Sequence, residues 1–295
     1  MDKLEINKTV VKRSFIVGEE WLYYKIYCGA KTSDIILTSY IGPLVSALFE
    51  NGFITSWFFI RYTDGGNHIR LRFNVSTATV IGAVITAVKD CLHGLCTTGS
   101  INTISIATYN RELERYGATG IVFAEALFYN DSKTVLNALA EIDNEETLVL
   151  FALKNTDNLL TNFGYGTADK LAFCMAQMAY YKAEFNITKV VNKQLSAKYR
   201  LRKQDISSFL CNIAIIKGNK ILQELLGAKN DLDAPILKKM KIEATALTIY
   251  KRLGSFVHMS INRTFRSKQR LYEMLCYDFL VRFYKSEIAK EKYVN

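Results

Sequence analysis

Three arginines and a histidine fall close together in an apolar, aromatic-rich stretch, ITSWFFIRYTDGGNHIRLRFNV, residues 54–75. On a strand alternate side chains share a face, so His68, Arg70 and Arg72 point one way and Ile69, Leu71 and Phe73 the other. Two guanidinium groups a pleat apart, roughly 7 Å, with Arg61 on the partner strand, repel one another and lose hydration unless an anion sits between them. The chemistry would be binding of a carboxylate or a developing oxyanion. An edge hairpin whose charges are solvated and merely discourage aggregation accounts for the same pattern equally well.

Two further clusters carry reactive types. YNRELERYG, residues 109–117, sets two arginines, two acids and two tyrosines in nine positions after a strand-like run. On a helical turn Glu112 and Arg115 share a face and pair, with Arg111 beside them. An exposed ion pair closing a helix start would explain that spacing too, at under ~1 kcal/mol. FVHMSINRTF, residues 256–265, brings His258, Asn262 and Arg263 together. A histidine there is suited to proton transfer near neutral pH, although a lone histidine in an apolar run is more often a satisfied core residue.

The elements that must position these residues follow from periodicity. Trp21–Tyr27 and Ile101–Thr108 read as strands rich in aromatic and β-branched types. Asp64-Gly65-Gly66-Asn67 supplies the positive φ angles of a tight hairpin turn. Helical spacing covers residues 32–50, interrupted by Gly42-Pro43 with a kink or two abutting helices expected, and then 76–95. The order strand, helix, two strands, helix, strand is that of a split βαβ unit with an antiparallel or mixed sheet. From Thr119 onward helical runs are expected over 119–138, 145–162, 168–184, 189–200, 204–226, 235–253 and 267–289. The expected class is α+β, with a sheet-rich part over 20–118 packed against a helical part over 119–295 and no clean boundary between them.

Composition narrows the function classes. Hydrophobic residues make up 49 % and charged residues 22 % of the 295-residue chain, an ordinary globular balance. No apolar run reaches the ~18 uncharged residues of a membrane span, and the first residues, MDKLEINKTVVKRSF, lack a signal-peptide core; a cytoplasmic location is expected. The six cysteines have no CxxC or Cys/His spacing, so buried reduced thiols are expected and no metal site. GxSxG, P-loop and GxGxxG patterns are absent, which removes the commonest serine-hydrolase and nucleotide-binding classes. Residues 1–150 hold 13 Lys+Arg and 16 Asp+Glu, net −3, and residues 151–295 hold 25 and 12, net +13. The basic half favours an acidic partner, although solvated helix faces give the same surplus.

Taken together, FFIRYTDGGNHIRLRF, YNRELERYG followed by AEALFYNDS, and HMSINR resemble, in this order, the carboxy-terminal glutamate-elimination domain of class I lanthipeptide dehydratases, a family that extends to thiopeptide-type bacteriocin biosynthesis. The resemblance runs from Trp21 to about Tyr284 and implies a single elimination-type domain over 1–295. It implies catalytic roles for Arg70, Arg72, Glu112, Arg115 and His258, and leaves open whether His258 is acid or base. Arg61, His68, Arg111, Asn262 and Arg263 become candidate substrate-binding residues. The implied reaction is a cofactor-free β-elimination of glutamate from glutamylated Ser or Thr of a precursor peptide, giving dehydroalanine or dehydrobutyrine. The implied partners are that peptide and a separate tRNA-dependent glutamylating protein, with a lanthionine cyclase as a further candidate and no direct contact with nucleic acid. Two other readings stay open: a same-fold [4+2] cycloaddition enzyme, and a non-catalytic peptide- or tRNA-binding subunit using the basic half.

Overall fold

The computed structural model describes residues 11–212, 219–242 and 245–294. Four strands, β2 (Trp21–Cys28), β3 (Ile54–Thr63), β4 (Asn67–Val75) and β5 (Ile101–Ala107), form an antiparallel sheet in the order β3-β4-β2-β5, while β1 (Ser14–Phe15) pairs with β6 (Tyr109–Asn110). That order is the one a split βαβ unit generates. The turn between β3 and β4 is Asp64-Gly65-Gly66, with φ of 67° and 126° at the two glycines; Asn67 already pairs with Thr63 as strand. A side chain at φ 126° would be strained, which is why a glycine stands there.

Alternation gives the sheet two different faces. Leu22, Tyr24, Ile26, Trp57, Phe59, Ile69, Leu71 and Phe73 pack under α1 (Ala30–Ile35), α2 (Gly42–Glu50) and α3 (Ile81–Thr97). Between α1 and α2 the expected kink takes the form of a π-helical segment, Ile36–Ile41, closed by an i→i−5 bond from Gly42 N–H to Leu37 O. Pro43 has no N–H to continue the ordinary ladder. A Cβ on Gly42 would lie 3.3 Å from Leu136 Cδ2, so glycine permits the close approach of the next layer. The stretches Ala30–Glu50 and Ala78–Thr97 are helical, long and apolar enough to cross a membrane by length and composition. They reach that length only by including charges such as Asp34 and Lys89, and their buried side chains, among them Leu37, Ile41, Val84 and Val88, pack in the sheet's core.

The other face meets the helical half. After the single turn α4 (Leu113–Tyr116) come α5 (Gly120–Glu141), α6 (Glu145–Asn162), α7 (Thr167–Glu184), α8 (Lys189–Leu210), α9 (Asn219–Ile242), α10 (Ala246–Thr264) and α11 (Gln269–Val294). Trp21, Tyr23, Phe58 and Ile60 of the sheet share one core with Phe128, Leu160, Phe256 and Tyr277 of these helices. Three expected boundaries are corrected. The runs 189–200 and 204–226 are not separate helices: α8 is continuous to Leu210, and the second run crosses residues 213–218, which lie outside the described residues. Pro235 does not start a helix but sits inside α9, where buried Leu226, Leu237 and Met240 on either side hold the helix through the one lost hydrogen bond. The run expected over 235–253 falls in two helices, α9 ending at Ile242 and α10 starting after the extended cap Thr245 and reaching Thr264, so FVHMSINRTF is helical almost throughout. All six cysteines are free, but only Cys28, Cys174 and Cys276 are buried; Cys91 is half-buried, and Cys96 and Cys211 are exposed, against the expectation of burial.

Candidate active site

The side of β4 that carries His68, Arg70 and Arg72 also presents Tyr23, Lys25 and Tyr27 of β2 and Phe58, Ile60 and Tyr62 of β3, as the cross-strand register requires. Arg72 is buried, 7 % exposed, at the edge of the shared core. Its guanidinium carbon sits 4.4 Å from the Tyr23 ring centre, 4.9 Å from Tyr109 and 5.1 Å from Phe58. Aromatic faces attract a cation, yet its Nε is buried without a hydrogen-bond partner among the described residues. Burial lowers the pKa of the guanidinium, opposed by the nearby Tyr109 and Tyr23 hydroxyls and the Glu112 carboxylate.

One pleat along, Arg70 stacks on Tyr62, 3.4 Å from the ring centre, and its Nε donates to His68 Nε2 at 3.1 Å. His68 must therefore carry its proton on Nδ1, which donates to Gly66 O at 2.9 Å. Burial lowers the His68 pKa, and Arg70 and Lys25 lower it further, so the ring is neutral. Both of its nitrogens are engaged, and it orients Arg70. Lys25 stands directly opposite Arg70 on β2. Like charges so placed are unfavourable unless an anion joins them, and the sequence reading passed over this lysine.

A cavity of about 30 Å³ opens beside Arg72, lined also by Tyr109, Glu112, Tyr116, Phe128 and Met259. It has room for a water or two, or for the head of a carboxylate, not for a whole amino acid. Glu112 ends β6's exit loop, and its Oε2 lies 3.1 Å from Arg115 Nε, the pairing expected from their spacing. Met259 brings α10 to the same cavity, and His258 is the next residue back on that helix. His258 is 31 % exposed, and its Nδ1 lies 2.7 Å from Oε2 of buried Glu273 on α11.

Of the expected residues Arg72 and Glu112 line this cavity, Arg70, Arg115 and His258 are not among its lining, and four more have partners elsewhere. Arg61 pairs across the hairpin with Ile69, so it points through the opposite face of the sheet. There Nη2 is 2.6 Å from Asp34 Oδ1, Nη1 donates to Ser33 Oγ at 2.5 Å and Nε to Arg263 O at 2.9 Å; it does not join the strip of Arg70 and Arg72. Arg263 is buried, donating to Phe59 O at 2.8 Å and to Asp131 Oδ2 at 3.1 Å. Asn262 likewise binds the backbone of β3, at Arg61. Arg111 forms a bidentate pair with Glu125, 2.7 and 2.6 Å, and Tyr109 donates to the same carboxylate at 2.8 Å. These four hold the frame: β3 is an edge strand, and side chains of α5 and α10 occupy its outer backbone groups, with Ser132 Oγ accepting from Phe59 N at 3.2 Å. Among the described residues no group of three His, Cys, Asp or Glu is arranged to hold a metal.

A family model described as "Lantibiotic biosynthesis dehydratase C-term" matches residues 21–284. Subtilin biosynthesis protein SpaB of Bacillus subtilis is 25 % identical over 267 residues, 86 % of this chain and 24 % of SpaB. Nisin biosynthesis protein NisB of Lactococcus lactis subsp. lactis is 31 % identical over 140 residues, 47 % of this chain and 14 % of NisB. The chain thus spans at most about a quarter of the length of these curated relatives. Among solved structures, the tRNA-dependent lantibiotic dehydratase MibB from Microbispora sp. 107891 superposes with a TM-score of 0.71 at 19 % identity, covering 94 % of this chain and 29 % of MibB. The pyridine synthase TbtD from thiomuracin biosynthesis superposes at 0.65 with 12 % identity, over 90 % of this chain and 99 % of TbtD. Both superpositions speak to the fold.

Proposed function

This chain belongs to the lantibiotic biosynthesis dehydratase carboxy-terminal family, and from that premise we propose that it eliminates glutamate from glutamylated Ser or Thr residues of a precursor peptide. The observation that carries this reading is Arg72, a buried guanidinium boxed by three aromatic rings with no hydrogen bond or ion pair of its own among the described residues. A desolvated cation with no direct ion pair is costly to the fold and suits a site whose anion arrives with the substrate. Arg70 and Lys25 extend the positive strip outward, where the rest of a glutamyl ester would lie.

In the proposed reaction the proton on Cα of the esterified residue is taken by a base, and the C–H electron pair becomes the Cα–Cβ double bond. The Cβ–O bond breaks and its electrons leave on the carboxylate of glutamate. Negative charge grows first on the peptide carbonyl oxygen and then on the departing carboxylate. A guanidinium binds either through two parallel N–H donors and stays protonated throughout. Arg72 and Arg70 take these roles, Glu112 holds Arg115 at the rim, and His258 moves the proton. The peptide would be glutamylated by a tRNA-dependent activity residing in another polypeptide or another segment, which places the work in the cytoplasm.

The test is to incubate the protein with a glutamylated peptide and weigh the product. Loss of glutamate with gain of a double bond is the expected result; a peptide that keeps its glutamyl group under conditions where the protein is folded overturns the reading.

A further inference from the structure

We propose that Glu273 is the positioning residue of His258, fixing its imidazole so that Nε2 is the nitrogen that exchanges the proton; the inference rests on the elimination reading above. Glu273 lies in the second turn of α11 and is 2 % exposed. A carboxylate so placed is expensive unless a cation or good donors meet it. The facing groups are the Tyr181 hydroxyl of α7 and, on α11 itself, Arg270, Cys276 and Tyr277. Of these only Arg270 is cationic, and the Nε/Nη2 edge of its guanidinium is bound to Glu184 of α7. The partner within ion-pair distance is His258, at 2.7 Å.

The geometry fixes a tautomer. The carboxylate oxygen accepts, so Nδ1 must donate, and the lone pair of the neutral ring is on Nε2. His258 is the exposed member of the pair and Glu273 the buried one, so Nδ1 is tied inward and Nε2 is the ring nitrogen left for chemistry. One residue further, Met259 lines the cavity of Arg72. A carboxylate that orients a histidine and balances the charge it acquires is a recurrent arrangement in proton-transfer sites. Nothing in the hairpin or loop clusters points to Glu273; its signal in the sequence is an acid set in the apolar run LYEMLCYDFL.

The experiment compares wild type with Glu273→Gln and Glu273→Ala on a glutamylated peptide and reads His258 by ¹⁵N NMR, with His258→Gln to assign the signal. Expected for Glu273→Ala is a fall in kcat on the order of 10²-fold or more with KM nearly unchanged, and an imidazole that samples both tautomers. Glu273→Gln removes the charge and can turn its NH₂ donor toward Nδ1, so the ring shifts toward the Nε2–H tautomer and kcat falls at least as far as in Glu273→Ala. A structural role alone would lower the melting temperature and leave kcat per folded molecule and the tautomer untouched, which overturns the proposal, as does a wild-type ring protonated on Nε2 and bare at Nδ1. A wild type that never releases glutamate sinks the elimination reading instead, and the tautomer still decides whether Glu273 holds His258.

Discussion

Asn262 holds both backbone polar atoms of Arg61: its Oδ1 accepts from Arg61 N at 2.8 Å and its Nδ2 donates to Arg61 O at 2.7 Å. The side chain amide thus replaces a missing neighbouring strand on the outer edge of β3. Asn262→Ala leaves a donor and an acceptor unmet, and Asn262→Asp sets a carboxylate oxygen against a carbonyl oxygen. Each is expected to cost about 1–3 kcal/mol in urea unfolding, with elimination per folded molecule unchanged. A selective loss of kcat in a fully stable variant would return Asn262 to the substrate.

Arg72→Met separates stability from chemistry. Replacing an unpaired buried cation by an apolar chain of similar length is neutral or stabilising, so the thermal midpoint should hold or rise. The barrier to elimination should grow by about 3 kcal/mol, the typical worth of one preorganised donor, and glutamylated peptide should accumulate. Unfolding of the variant, or normal dehydration by it, contradicts the assignment.

Glu112 and Arg115 are both about half exposed, so breaking their pair should alter stability by less than ~1 kcal/mol. Alanine at either position is expected to slow elimination at least tenfold with an unchanged unfolding curve. If rate and stability both stay put, the pair merely closes a helix turn.

His68 predicts an acid-side signature. Its folded pKa lies below the ordinary 6.5, chiefly through burial, so its share of stability is complete above that value. The share is lost as pH falls through the lower folded pKa, where the unfolded chain takes up the proton more readily. Protonation would also remove the acceptor of Arg70 Nε and set two cations in contact. His68→Phe should therefore flatten the acid limb of the stability curve. Thermal midpoints of both proteins from about pH 8 downward measure this, and a difference constant with pH would exclude it.

Much of the site was legible because strand alternation is local. Placing His68, Arg70 and Arg72 on one side of β4 needs only the period of two, and pairing Glu112 with Arg115 only the helical turn. Arg61 was misplaced because its direction depends on register across the turn, and a loop of Asp64, Gly65 and Gly66 sets Arg61 opposite Ile69. Arg111, Arg263 and His258 were read without their partners, since Glu125, Asp131 and Glu273 come from other helices and no spacing announces them. Lys25 was hidden in an aromatic strand, where its sign mattered only once β2 lay beside β4. In the helical half, Pro235 suggested a start where packing carries a helix through, and the single helix α8 read as two.

The hairpin turn leaves the protein one tolerance and one intolerance. Because β4 keeps its greasy side chains and its charged ones on alternate positions, a single residue added to the loop after Thr63 without compensation would tend to exchange the two sets, driving Arg70 and Arg72 into the oily layer beneath α3 and pushing Leu71 into the cleft. Two added residues can preserve the parity. Natural length variation at this loop should therefore favour even steps, while substitutions confined to the charged side can retune the chemistry on an undisturbed scaffold.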